Sequence, residues 1–274
     1  MSFLPRLLLL AVLLCGRSVA AEAVPPHEAL HLASVAMGEK RLINVYLPPG
    51  YDVDQTVRYP ILYVLDGGVR EDFPHVAAMA DRLIRAGVVR PFLVAGIENT
   101  VRRRDMTGPT RSAHDLEVTS QPGGAPRFRR FIRAELMPAL RARYRASGES
   151  AVIGESLAGL FVVETLMLGP RLFDTHIAID PSLWWNEKGL IREAPERLAE
   201  WGDRRARLLL TAGGTASNSP EVDAFAALLR RAAPPGLQWE YLPRPDLRHD
   251  NIYRAMEEAL LRSAFAATDA DRAQ

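Results

Sequence analysis

The sequence predicts an α/β protein: one mostly parallel central sheet, opened by an N-terminal antiparallel hairpin and covered by helices on both faces. Three observations predict it. Residues 59–65, YPILYVL, form a continuous apolar run of the kind needed by a strand buried on both faces, and the run stops at Asp66-Gly67-Gly68. Beyond it, strand-like and helix-like segments alternate almost to the C-terminus. No break in composition and no fixed-period repeat divides residues 28–265, which read as one domain.

The elements follow in order. Apolar-rich stretches at 29–36 and 41–47, separated by Met37-Gly38-Glu39-Lys40, suggest the hairpin, and Pro48-Pro49-Gly50-Tyr51 ends it. After the 59–65 strand come a helical period over 74–86, a strand at 91–97, a long amphipathic helix over 127–144 and a short strand at 150–153. Then come a helix at 160–168, strands at 175–179 and 206–211, a helix at 220–232, a strand at 237–242 and a helix at 252–265. Residues 99–125 and 181–194 are the least regular and read as loops, which in compact α/β domains usually serve a site. Residues 266–274 read as a flexible polar tail.

Composition excludes several classes of function. At 48% hydrophobic and 24% charged residues the chain is too apolar to be disordered. Lys and Arg number 34 against 33 Asp and Glu, so no charge excess exists to recruit nucleic acid. A single cysteine, Cys15, rules out an internal disulfide and any multi-cysteine metal site, and no metal or organic cofactor is expected. Residues 1–20, MSFLPRLLLLAVLLCGRSVA, read as a secretory signal peptide: an early Arg6, an apolar run over 7–15, and small residues at the cleavage-type positions Ser18 and Ala20. That run is shorter than the roughly 20 residues a membrane span needs, and no later stretch is longer, so no span is expected. An uncleaved anchor is the alternative; a lipoprotein at Cys15 fits less well, because Leu14 stands where a small residue belongs. Cleavage would leave a periplasmic or secreted protein without cysteine, resting on core packing alone. No feature specifies an oligomeric state.

The chemistry centres on Gly154-Glu155-Ser156-Leu157-Ala158-Gly159. A serine at a sharp strand-to-helix turn is thrust out in a strained conformation, so small residues two before and two after it avoid clashes. Gly154 and Ala158 meet that demand, with strand-like Ala151-Val152-Ile153 before them and a helical segment after. Ser156 is the expected nucleophile, and its hydroxyl needs a base within hydrogen-bond reach. His27, His31, His75 and His114 precede it, and His176 falls inside an expected buried strand. His249, between the last strand and the last helix, lies on a loop at the same sheet edge as the serine and is the expected base.

A third member has three candidates. No carboxylate follows the strand at 206–211 until Glu221 and Asp223, which suit the first turn of the next helix. Asp180 ends the strand before that, at the correct edge. A Ser–His dyad without a carboxylate is the third option. For the oxyanion, one donor would be the N–H of Leu157 and another an amide of the Asp66-Gly67-Gly68 loop.

Taken together, Leu65-Asp66-Gly67, Ile97-Glu98-Asn99-Thr100 running into Arg102-Arg103-Arg104-Asp105-Met106-Thr107, the Gly154 to Gly159 elbow, Pro181-Ser182-Leu183-Trp184-Trp185 and the His249 loop resemble one family. It is the Putative esterase family of α/β-hydrolases, which includes enterochelin (siderophore) esterases, the esterase D group and mycolyltransferases. The resemblance implies an α/β-hydrolase fold, Ser156 as nucleophile, His249 as base, and the N–H groups of Leu157 and Gly68 as oxyanion hole. Siderophore-hydrolysing relatives that work with a dyad would fit the missing carboxylate after Gly214. Glu155, Ala158 and Asp180 stand where the family commonly has His, Gly and Ser, which bears on substrate choice.

Arg102 and Arg103, with neighbours Arg104 and Arg111, could receive an anionic or catecholate group, although Arg104-Asp105 also reads as a structural pair. Trp184 and Trp185 could wall an acyl pocket or form a packed cluster. The expectation is a serine esterase acting on a small-molecule ester of aryl, catecholate or siderophore type. An acyltransferase and a catalytically silent binding protein on the same fold are the rivals.

Overall fold

The computed structural model describes residues 24–169, 171–214 and 217–267. The expected signal peptide and residues 268–274 of the expected tail lie outside them. Among the described residues, eight strands form one sheet in the order β1-β2-β4-β3-β5-β6-β7-β8. The hairpin strands β1 (His27–Ser34) and β2 (Glu39–Tyr46) pair antiparallel, and β2 pairs antiparallel with β4 (Leu93–Ile97). All the other neighbours are parallel: β3 (Tyr59–Val64), β5 (Ala146–Glu155), β6 (Thr175–Ile179), β7 (Ala206–Ala212) and β8 (Leu237–Pro243). Every residue of β3 is buried, as its unbroken apolar run requires.

The strands' alternating side chains split the core in two. Leu62, Val64, Ile153, Ile177 and Ile179 pack with α1 (Phe73–Arg85) and α9 (Ile252–Ala264) on one face. Tyr63, Leu65, Val152, Ala178, Leu208 and Leu210 pack with α4 (Ala125–Phe131), α5 (Met137–Arg143), α6 (Leu157–Leu168), α7 (Trp185–Ala199) and α8 (Ser219–Ala232) on the other. Helix α6 is apolar almost all round and buried along nearly its whole length, which is how a helix in the middle of a core should read. A π-helical turn, Ile132–Leu136, joins α4 to α5 and completes the long helix expected over 127–144.

Three expectations need correction. Residues 99–125 contain two short helices, α2 (Arg102–Met106) and α3 (Ala113–Val118), too brief to register as a helical period. Residues 181–194 run into helix α7, which is broken just after Trp185 and turns regularly from Gly189 onward. The sequence pattern hid it: Asn186, Glu187 and Lys188 all adopt left-handed backbone, and Pro195 lies inside the helix. The tail begins later than expected, since Ala266 bridges Val89.

His176 sits within β6, 2% exposed, with neither ring nitrogen hydrogen-bonded. Burial pushes its pKa down to about 4, and the nearby Arg207 backbone offsets only part of that. Between its ordinary value of about 6.5 and 4 the unfolded chain therefore binds a proton that the folded chain refuses, so this residue costs stability as pH falls through that window. Buried Glu155 and Glu164, both pushed up to about 7 chiefly by burial, act in the opposite sense. The expected outcome is that His176→Leu loses less stability than wild type on going from pH 7 to pH 4.5, measured as the difference in urea midpoints.

Candidate active site

The parallel strands deliver their C-terminal ends to one edge, and the polar residues of interest stand there. Ser156 follows β5 and precedes α6, with φ 61° and ψ −120°. A non-glycine residue in that region is strained, and the elbow's packing explains why it persists. A Cβ on Gly154 would lie 2.7 Å from the Ala158 Cβ, so the chain turns back on itself too tightly for anything but glycine at 154, while alanine fits at 158. Ser156 is held by its N–H to the Ile179 carbonyl at 3.0 Å and by its own carbonyl accepting from Leu160 and Ser182 N–H. Its Oγ lies 3.3 Å from the Ser182 Oγ. Leu157 is the first residue of α6, so its N–H has no carbonyl one turn back to bond.

Asp180 follows β6 with φ 41° and is completely buried. Its Oδ2 lies 2.5 Å from Nδ1 of His249, which is on the loop between β8 and α9. Oδ1 accepts from Asn218 N–H at 3.1 Å and, more weakly, from Gly213 N–H at 3.4 Å. The bond to Asp180 is the main cause of a His249 pKa raised above the ordinary value, against the opposing effect of burial. Of the three options for a third member, the carboxylate beside His249 is thus Asp180. Glu221 pairs with Lys188 at 2.9 Å, and Asp223 accepts from the Tyr241 hydroxyl at 2.6 Å.

The other histidines are placed for other work. His75 bonds Glu257 and, at 3.2 Å, Asp72, tying α1 to α9. His114 meets the Trp184 ring edge-on, and His27 contacts the Pro25 carbonyl.

The arginines of the basic loop have partners within the chain. Arg102 makes a two-pronged pair with Asp66, both contacts 2.7 Å, and reaches the Glu155 carbonyl at 3.4 Å. Arg103 donates to the Val118 carbonyl. Arg104 pairs with Asp105 and Glu39. Arg41, wholly buried against Phe128 and Phe131, pairs with the same two acids. Arg102 and Arg103 thus both fasten the loop that follows β4, Arg103 while remaining exposed. Trp185 takes the packed alternative: it is buried, with its N–H on the Gly108 carbonyl. Trp184 is only half-buried and donates to Asn218 Oδ1 at 3.1 Å. The Gly68 amide is occupied as well. Its N–H donates to Glu71 Oε2 at 2.7 Å, so it is not open for an oxyanion in this state of the chain.

Four residues escaped the sequence reading. Asn218 links Trp184 to Asp180, donating from Nδ2 to the Asp180 carbonyl at 2.7 Å. Ser182 faces the Ser156 hydroxyl. Glu71 and Asn99 form a clasp, with Asn99 Nδ2 donating to Glu71 Oε1 at 2.9 Å and to Asp66 Oδ1 at 2.5 Å. Asn99 and Ser182 had a signal, their places in the Ile97-Glu98-Asn99-Thr100 and Pro181-Ser182-Leu183-Trp184-Trp185 segments. Among the described residues no cluster of His, Cys, Asp and Glu could hold a metal ion.

Comparison with known proteins places the chain. Residues 34–219 match the family model described as Putative esterase. Ferri-bacillibactin esterase BesA of Bacillus subtilis is 28% identical over 218 residues, spanning 72% of this chain and 73% of that protein. A siderophore triacetylfusarinine C esterase of Aspergillus fumigatus is 32% identical over 169 residues, 57% of this chain and 56% of the other. A solved IroE-like serine hydrolase from Shewanella oneidensis has a TM-score of 0.79 at 26% identity, covering 88% of this chain and 80% of that one. The chain belongs to the Putative esterase family and is a carboxylic ester hydrolase on the α/β-hydrolase fold.

Proposed function

We propose that the chain hydrolyses esters of the siderophore type through an acyl-enzyme on Ser156, with His249 as general base and Asp180 as the acid that orients it. The observation that carries this reading is the 2.5 Å contact between His249 Nδ1 and the buried Asp180 carboxylate. A carboxylate there keeps the proton on Nδ1 and leaves Nε2 as the basic nitrogen. Ser156 Oγ attacks the ester carbonyl carbon while its proton passes to Nε2. The tetrahedral intermediate collapses as the carbon–oxygen bond to the leaving alcohol breaks and Nε2 returns the proton to that oxygen. Water then repeats the sequence against the acyl-enzyme, releasing the acid and restoring Ser156. The Leu157 N–H, at the electropositive end of α6, supports the negative oxygen. Neither step calls for a cofactor.

The substrate class is supported by the two relatives, whose names give a ferri-bacillibactin and a triacetylfusarinine C ester as what they act on. The half-exposed Trp184 ring, fastened through Asn218 to Asp180, offers a flat surface at the same edge for an aryl group or apolar linker. Among the described residues no helix is long and apolar enough to cross a membrane, and the signal-peptide reading of residues 1–20 adds export to the periplasm or beyond.

Ser156→Ala should lower turnover of a siderophore trilactone and of p-nitrophenyl acetate by roughly 10³-fold or more with an unchanged circular dichroism spectrum; a folded variant near the wild-type rate would overturn the assignment. Because only neutral His249 accepts the serine proton, and Asp180 raises its pKa, kcat/KM should rise with pH through a midpoint above about 6.5. Asp180→Asn should move that midpoint down and cost about 10⁴-fold in rate, whereas Glu221→Gln with Asp223→Asn should leave both nearly unchanged. For processing, the intact mass of the exported protein should correspond to a chain beginning at Ala21; a mass retaining Met1 would refute cleavage there.

A further inference from the structure

We propose that Glu71 is a displaceable occupant of the oxyanion site, holding the Gly68 N–H in the free chain and giving it up to the ester's carbonyl oxygen. The proposal rests on the Ser156 reading above. Strands β3 and β5 are parallel neighbours in register, Val64 opposite Ile153, so the loop after β3 and the serine elbow after β5 emerge side by side. Arg102 spans the two, bonded to Asp66 on one and to the Glu155 carbonyl on the other. The loop's other candidate amide, on Gly67, is consumed by the Ile97 carbonyl at 2.9 Å, which leaves Gly68 as the donor able to change partners.

What Gly68 now holds is itself an anionic oxygen. Glu71 Oε2 is 2.7 Å from its nitrogen, the distance an oxyanion would take up. The fit depends on glycine at 68, where a Cβ would fall 2.8 Å from Glu71 Oε2 and 2.9 Å from Glu98 Cγ. The carboxylate also has somewhere to go. Its other oxygen, Oε1, is held by Asn99 Nδ2 at 2.9 Å, and Oε2 already lies 3.4 Å from the Asn99 N–H, so Oε2 can turn off Gly68 toward that donor about a bond that stays made. Two negative oxygens cannot share one N–H, so each catalytic cycle requires this exchange, and the resting enzyme is held back by it. A neutral Gln at 71 keeps an acceptor oxygen but no charge, while Ala leaves the amide open.

The test measures kcat and KM with p-nitrophenyl acetate, and the inhibition constant of phenylboronic acid, for wild type, Glu71→Gln and Glu71→Ala, with a melting curve for each. The boronate forms a tetrahedral serine adduct carrying an anionic oxygen. Displacement predicts that Glu71→Ala raises kcat/KM roughly 5- to 10-fold and tightens boronate binding by at least as much, with a smaller change in KM and Glu71→Gln in between. A lower kcat/KM together with weaker boronate binding for Glu71→Ala, both restored by Glu71→Gln, would make Glu71 a permanent brace of the loop and overturn the proposal, as would no change in either. Should Glu71→Ala melt far below wild type, Glu71→Gln alone decides by the same signs. A wild-type protein that neither hydrolyses p-nitrophenyl acetate nor is labelled at Ser156 by a fluorophosphonate would instead sink the underlying serine-hydrolase reading.

Discussion

The arrangement at the strand ends depends on keeping one carboxylate, that of Asp180, charged and out of water. A buried anion without donors is costly, so it persists only where several N–H groups converge on it. Here they come from three separate segments: the exit of β7 through Gly213, the start of α8 through Asn218, and the His249 loop. Its own main chain is fixed as well, by an N–H to the Thr211 carbonyl and a carbonyl accepting from the Asn218 side chain. The left-handed backbone at 180 turns the side chain into this convergence. Removing the carboxylate would leave buried donors unpaired in addition to releasing the imidazole.

Beside this anchor, the residue before the serine complicates the electrostatics. Burial pushes the Glu155 carboxyl up to about 7; Asp72 and Asp180 push the same way, while His249 and Arg102 oppose them. One of its oxygens is buried without a hydrogen-bond partner. The charge on His249 and the charge on Glu155 each favour the other, so a pH–rate profile reports the pair more than either residue.

What the sequence made legible was what short stretches encode. The β3 run, the strand–turn–helix around Ser156 and the loop position of His249 follow from neighbours a few residues apart. Asp180 remained one of three options because its claim depends on β6 lying beside β5 and β7, a sheet order no spacing reveals. The arginines' partners were hidden for a related reason: a guanidinium in a loop looks free until its acid is located, and the partner of Arg102 is Asp66, on another loop of the same edge. Glu71 is only three residues from Gly68, yet nothing but a side-chain rotamer decides whether it bends back onto that amide. Helix α7 was hidden by conformations, at 186–188, that propensity assigns to turns.

The matched pairing in the loop after β4 has a consequence for how substrate arrives. Arg102 with Asp66, and Arg104 and Arg41 with Asp105 and Glu39, cancel within each cluster, so little field extends from them into solvent. These pairs neither draw in nor turn away an incoming ester at long range, which leaves Arg103, bonded to the Val118 carbonyl, as an exposed cation of this loop. The part these pairs play in an encounter is therefore tolerant of changes in the surrounding salt, since cancelled charges leave little field for ions to screen.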